Sequence, residues 1–299
     1  MKTRQPERAA PLPADIPGFL LRALEGRWHR FAAELAQSRR RCTEPGIHDL
    51  RVAARRLLAV LDLAGAVLPG EFAPRARRLL RKTLRSFSPL RDCHVRILTL
   101  RAYTRRYTVA RPLLREARAQ ERTLVREAAR MIARFDAPLL EREVAAIARA
   151  FTALEGAAAR AAGDVLAGAA AKKYLRVASR RRKITGANSR SIHRLRVAFK
   201  EYRYTVEALM PLYPSVDRSR LRAMSALQDS MGAIQDVEVL IDVVARFALK
   251  RGARYPASVL NFQRHLAGRR GTLVEAFLLE VDAVAGFWPP GRGPEEAPR

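Results

Sequence analysis

Residues Ile47-His48-Asp49-Leu50-Arg51-Val52-Ala53 return as Ile192-His193-Arg194-Leu195-Arg196-Val197-Ala198, 145 positions further along the chain. A second pair of blocks follows in the same order, Leu90-Arg91-Asp92-Cys93-His94-Val95 and Ile234-Gln235-Asp236-Val237-Glu238-Val239, 144 positions apart. The spacing from His to Asp is nearly preserved, at 44 residues from His48 to Asp92 and 43 from His193 to Asp236. Two blocks repeated in one order at one separation mark two homologous halves, each folding on the same pattern. Function is expected where the two halves meet.

That pattern is helical. Between the tails, apolar residues recur at helical spacing with little strand-like alternation, and Gly and Pro fall at plausible breaks. The chain is predicted to be all-α, with helices over about 16–42, 46–67, 71–87, 92–107, 110–135 and 138–154 in a first repeat of about 15–154. The second repeat, about 155–288, is predicted to hold helices over 157–182, 190–210, 217–231, 236–250 and 256–286. Pro45-Gly46, Pro69-Gly70, Pro89 and Pro138 punctuate the first half, and Gly186, Pro211, Pro214, Gly252 and Pro256 the second. Each half has the makings of a four-helix-type bundle. The Ala-rich stretch 153–171 holds no strong break, so the halves are expected to pack tightly. Residues 1–14 and 289–299 read as disordered tails. Asp92 and Asp236 stand where helices are predicted to begin, so their expected role is N-capping combined with a salt bridge to a nearby Arg.

Charge narrows the partner. The 57 basic residues against 29 acidic ones give a formal net charge of +28, and only seven of the 57 are Lys. Arg presents a planar fork of donors that matches phosphate oxygens bidentately, whereas Lys acts as a point charge. High-GC codon usage also raises Arg at the expense of Lys, but the surplus of positive charge stands whichever residue supplies it. Cys42 and Cys93 are too few for a disulfide framework and have no metal-ligand spacing, which suits a reducing cytoplasm. The N-terminal stretch lacks the apolar core of a signal peptide, and no run approaches 18 uncharged apolar residues, so no membrane span is expected.

On the helix through 46–67, His48, Arg51 and Arg55 lie at i, i+3 and i+7, with Arg56 beside them. Leu50, Leu57, Leu61, Ala64 and Leu68 form the apolar face. The second copy aligns His193, Arg196, Lys200 and Arg203 at i, i+3, i+7 and i+10, against Leu195, Val206 and Leu209. A stripe of like charges destabilises an isolated helix by about 0.2–0.5 kcal/mol per pair. An anion is expected to offset it. Further cations stand on neighbouring helices: Arg77, Arg78, Arg81, Lys82 and Arg85 in the first half, and Lys172, Lys173, Arg176 and 180–183 in the second. His29, His94 and His265 lack such surroundings.

Catalytic signatures are missing from the sequence. His48-Asp49 is like the His-Asp pair of some metal phosphohydrolases, but its repeat counterpart is His193-Arg194, and no further His/Asp set stands at helical spacing. There is no P-loop, no GxGxxG after a strand, no nucleophile elbow and no tandem ExExK. The expected activity is binding, with no catalysis, cofactor or metal.

The duplicated IHxLRVA stripe, the LRD and IQD blocks that follow it, and the helical pattern together resemble the CHAD family, the conserved histidine α-helical domain, over residues 15–288. The resemblance implies two pseudo-symmetric four-helix bundles around a basic central channel that binds long-chain inorganic polyphosphate, and it implies targeting to polyphosphate granules. It assigns His48, Arg51, Arg55 and Arg56 to the channel in the first half, and His193, Arg196, Lys200, Arg203 and Tyr204 in the second. Arg81 and Arg91 match less distinctive basic positions. The first-half motif departs at Leu58, the counterpart of Arg203, so unequal contributions from the halves are expected. The alternative partner is nucleic acid, bound nonspecifically. Only Tyr174, Tyr202 and Tyr204 stand near the basic blocks, which is thin for base stacking, and no recognition motif is present.

Overall fold

Prolines and short polar residues set where the helices begin. The computed structural model describes residues 15–184, 188–213, 217–251 and 254–287, and among them there is no strand. The helices are α1 (Ile16–Arg40), α2 (Glu44–Val67), α3 (Pro74–Ser86), α4 (Ser88–Tyr103), α5 (Ala110–Ala133), α6 (Ala137–Thr152), α7 (Gly156–Arg182), α8 (Ser189–Leu209), α9 (Arg218–Arg251) and α10 (Pro256–Glu280). Short 3-10 segments, Met210–Leu212 and Val281–Phe287, follow α8 and α10. Pro sits in the first turn of α1, α2, α3, α4, α6 and α10, where its missing N–H costs no helical bond. Side-chain oxygens cap five starts: Asp15 accepts from Gly18 N at 2.7 Å, Thr43 from Gly46 N at 3.2 Å, Asp136 from Leu139 N at 2.9 Å, Asn188 from Arg190 N at 3.1 Å and Asp217 from Arg220 N at 2.8 Å. The expected tails, with Gly186, Pro214 and Gly252, lie outside the described residues.

The all-α expectation holds, and two of its details change. Helices predicted separately over 217–231 and 236–250 are one continuous helix, α9. A lone Gly inside a helix costs only about 1 kcal/mol, and no proline stands between Met231 and Asp236 to enforce a stop. Asp92 and Asp236 consequently do not cap helices. α4 starts at Ser88 behind Pro89, which places Asp92 in its second turn, and Asp236 lies in the interior of α9. The salt-bridge part of that expectation is present and is described below.

The core threads through both halves. One apolar cluster joins α1, α2, α3, α6, α7 and α8 with the end of α5, the start of α9 and the end of α10. A second joins α4 and α5 to the later part of α9 and the start of α10. Each cluster thus draws on helices from both repeats. α2 and α8 are the central pair, packed against each other and each against α7. Leu50, Leu57, Leu61, Ala64 and Leu68 are buried, as are Leu195, Val206 and Leu209, so both predicted apolar faces lie in the core. Full burial of a Leu side chain contributes about 1.5–3 kcal/mol. That holds α2 and α8 rigidly and fixes where their basic stripes point.

Candidate functional site

With the apolar faces of α2 and α8 committed to the core, Arg51 and Arg55 of α2 lie close enough to Arg196, Lys200 and Tyr204 of α8 to act on one another electrostatically. Arg91 of α4 joins them and acts on Arg51, Arg55, Arg196 and Lys200 alike. Five cations from three helices therefore share one partly buried space, as the repeated blocks led us to expect.

Counter-charge inside this space is short and unevenly placed. Arg51 is buried and donates from Nη1 to the Phe87 carbonyl at 2.7 Å, at the junction of α3 and α4. Arg91 takes both aspartates of the repeated blocks, with Nη1 at 3.2 Å from Asp92 and 3.7 Å from Asp236. The LRD and IQD motifs therefore meet on one guanidinium. Arg55, Arg196 and Lys200 have no carboxylate in ion-pair range among the described residues, and the buried Nε of Arg196 has no hydrogen-bond partner.

Proton affinities register that shortage. Burial, then the fields of Arg55, Arg196, Arg51 and Arg91, push the Lys200 ammonium from its ordinary 10.5 down to about 7. Burial and the neighbouring Arg55 and Arg91 bring Arg51 down to about 10. Arg55 is lowered by burial and by Arg196 and Arg91, and Arg196 by burial and Arg91. Burial raises the Asp236 carboxyl, with Arg91 and Arg196 pulling the other way. These are the shifts of cations crowded together with little counter-charge.

The remaining sequence-picked residues divide. His193, one turn before Arg196 on α8, is exposed, with its Nδ1 2.6 Å from Gln235 Oε1 of the IQD block. His48 is exposed and has no hydrogen-bond or ion-pair partner among the described residues. Tyr204 carries the Arg203 guanidinium 4.5 Å from its ring centroid. Arg203 itself binds Gln228 at 3.0 Å and Glu207 at 3.6 Å, and Arg56 Nε lies 2.6 Å from the same Glu207 carboxylate. Arg56 and Arg203 thus belong to a neighbouring cleft. Leu58, the counterpart of Arg203, is packed on the core, so the basic stripe is longer in the second half. Arg81 lies apart, bound to Asp62 at 2.9 Å, and Lys173 reaches that same carboxylate at 3.3 Å.

Sequence reasoning expected each aspartate to pair with a nearby Arg but not that both would share Arg91, and it missed Glu207. The i, i+4 pairing of Arg203 with Glu207 was the available signal for the latter. No group of His, Cys, Asp and Glu among the described residues is arranged to hold a metal ion. No described helix is long and apolar enough to cross a membrane, and Cys42 and Cys93 are both free thiols.

The CHAD domain pattern matches residues 22–245. The crystal structure of the CHAD domain from the plant Ricinus communis is 20% identical, with a TM-score of 0.65 over 95% of this chain and 96% of that one. PptA from Streptomyces chartreusis is 18% identical, with a TM-score of 0.59 over 92% of this chain and 99% of its own. At such identities the likeness to these structures is one of fold. No curated protein sequence matches the chain.

Proposed function

The chain belongs to the CHAD domain family, and on that premise we propose that its central cations bind long-chain inorganic polyphosphate without chemically altering it. One observation carries the reading: Arg55, Arg196 and Lys200 are held together, partly buried, without a carboxylate of their own among the described residues. A linear phosphate chain brings closely and regularly spaced negative charge, and its oxygens accept bidentately from Arg. Arg51, Arg55, Arg91, Arg196 and Lys200 supply the donors and Tyr204 acts on the same space, and the family resemblance adds the exposed His48 and His193. Arg and Lys held in this way bind phosphate, and none is paired with a nucleophile, so the reading is recognition. Recruitment to polyphosphate granules in the cytoplasm follows as a consequence of that recognition.

Nucleic acid carries phosphate too, but its bases need stacking surfaces, and Tyr174 and Tyr202 are buried in the core. The discriminating experiment is binding of purified protein to long-chain polyphosphate at near-physiological salt, with single- and double-stranded DNA of equal charge as competitors. Binding that survives excess DNA supports a site shaped for bare phosphate chains. Displacement by DNA would replace polyphosphate with nucleic acid as the partner. By the counterion logic established for DNA, the logarithm of the binding constant should fall with the logarithm of salt by about 0.9 per phosphate contacted.

A further inference from the structure

Next to the central cations, α1, α2, α8 and the start of α9 enclose a second cleft of about 840 Å³. Arg22, Arg27, Arg56, Arg203, Arg218 and Arg222 line it together with the apolar Phe19, Val60, Ala208, Met210 and Leu221. The volume falls within the range of small-molecule sites, about 300–1,000 Å³. Glu207 also lines it, largely buried, with Arg56 Nε at 2.6 Å, Arg203 Nη1 at 3.6 Å and Arg27 Nη2 at 3.7 Å. One carboxylate thus serves three guanidinium groups. Arg218 and Arg222 have no ion pair among the described residues, and Arg22 has only an exposed contact with Asp15 at 3.4 Å.

We infer that this cleft is a separate site for a nucleoside polyphosphate, whose phosphate chain replaces Glu207 among the arginines while its ring body lies against the apolar residues. A bare phosphate chain gains nothing from Phe19, Met210 and Leu221, whereas a phosphate ester of an aromatic base uses both kinds of lining residue. A single phosphate headgroup would satisfy too few of the six arginines. Glu207 marks the place of the incoming anion: its carboxylate sits where three forks of donors converge, and a phosphate with more oxygens and more charge competes for them. The space beside Gly26 on α1 is open, since a Cβ built there meets no atom within 4 Å.

The probes are ATP and inorganic tripolyphosphate, titrated calorimetrically into the full chain with long-chain polyphosphate measured alongside. ATP should bind more tightly than tripolyphosphate. Gly26→Phe fills the cleft without removing a cation, and should weaken ATP binding by about tenfold or more while leaving long-chain polyphosphate binding unchanged. Glu207→Gln should strengthen ATP binding by about tenfold by removing the resident competitor, with the circular dichroism spectrum checked for retained helix. If tripolyphosphate binds as well as ATP, or Gly26→Phe leaves ATP binding intact, the inference is overturned. Arg196→Ala with Lys200→Ala separates it from the central site: polyphosphate binding should be lost while ATP binding stays within about twofold. Failure of the parent protein to bind long-chain polyphosphate, with ATP binding retained, would sink the central-site reading and leave this one standing.

Discussion

Arg51 and Arg196 occupy matching places in the repeated blocks, yet one is satisfied and the other is not. Arg51 donates to the Phe87 carbonyl at the break between α3 and α4. Arg196 reaches α9 near Gly232, where a Cβ would lie 3.7 Å from its Nε, and its buried Nε finds no acceptor. The cause lies in one residue type. Pro89 precedes the LRD block and ends α3, exposing backbone at the junction; Ala233 precedes the IQD block and lets α9 run through. At the start of α4 the Phe87 carbonyl accepts from Arg91 N at 3.1 Å and has a second lone pair for the buried Arg51 guanidinium, whereas inside the unbroken α9 no ladder carbonyl meets the Arg196 Nε. Arg55 and Lys200 differ in the same spirit. Matched by the same offset and lowered by similar surroundings, the Arg starts from a higher ordinary value than the Lys, and the Lys is brought from 10.5 down to about 7.

The largest effect is expected from removing both matched arginines. Arg51→Ala with Arg196→Ala should lower long-chain polyphosphate affinity by about 100-fold or more, since charged hydrogen bonds contribute about 1.5–3 kcal/mol each. Arg181→Ala with Arg182→Ala should change it by less than about threefold, as expected of charges at the end of α7. Equal losses in a binding titration would mean that net charge, and not the matched pair, governs binding.

Taken singly, the two arginines should diverge in stability. Arg51→Ala leaves the Phe87 carbonyl with its backbone donor Arg91 N alone and should cost about 0.5–1.5 kcal/mol in denaturant unfolding. Arg196→Ala removes a cation with no direct partner and should leave the ligand-free protein as stable or more so. A large loss from Arg196→Ala would erase the contrast between the halves.

Lys200 gives the comparison a pH signature. Its folded value near 7 lies below its ordinary 10.5, so between these limits the unfolded chain binds more protons than the folded one. This group's charging penalty is complete below about pH 7 and disappears as pH rises toward 10.5, so its contribution makes the ligand-free protein more stable across that window. Polyphosphate favours the charged amine, so binding at pH 8 should take up close to one proton, about 0.9 for a group at 7. Calorimetry in two buffers of different ionisation enthalpy reads that uptake. Lys200→Arg should abolish it while retaining affinity; unchanged uptake would place the proton elsewhere.

The smallest effect tests the continuous helix. Gly232→Ala places its Cβ in ordinary contact with Arg196, and should raise stability by about 0.5–1 kcal/mol with polyphosphate affinity unchanged. A loss of stability would show that α9 needs the glycine where it passes Arg196.

The sequence by itself determined the helical class, the two central helices and the faces they bury, because a 3.6-residue apolar period and a doubled motif are local signals. It also brought Arg51, Arg55, Arg196 and Lys200 forward as partners, since the repeat matched them in register. It could not show that Asp92 and Asp236 both close on Arg91, that Arg56 and Arg203 turn aside to Glu207, or that Arg81 goes to Asp62. A helical stripe specifies a direction from its own axis, but which carboxylate lies in that direction depends on how the helices pack. Only the tertiary structure decided which cations are neutralised and which are left, partly buried, without a carboxylate of their own among the described residues.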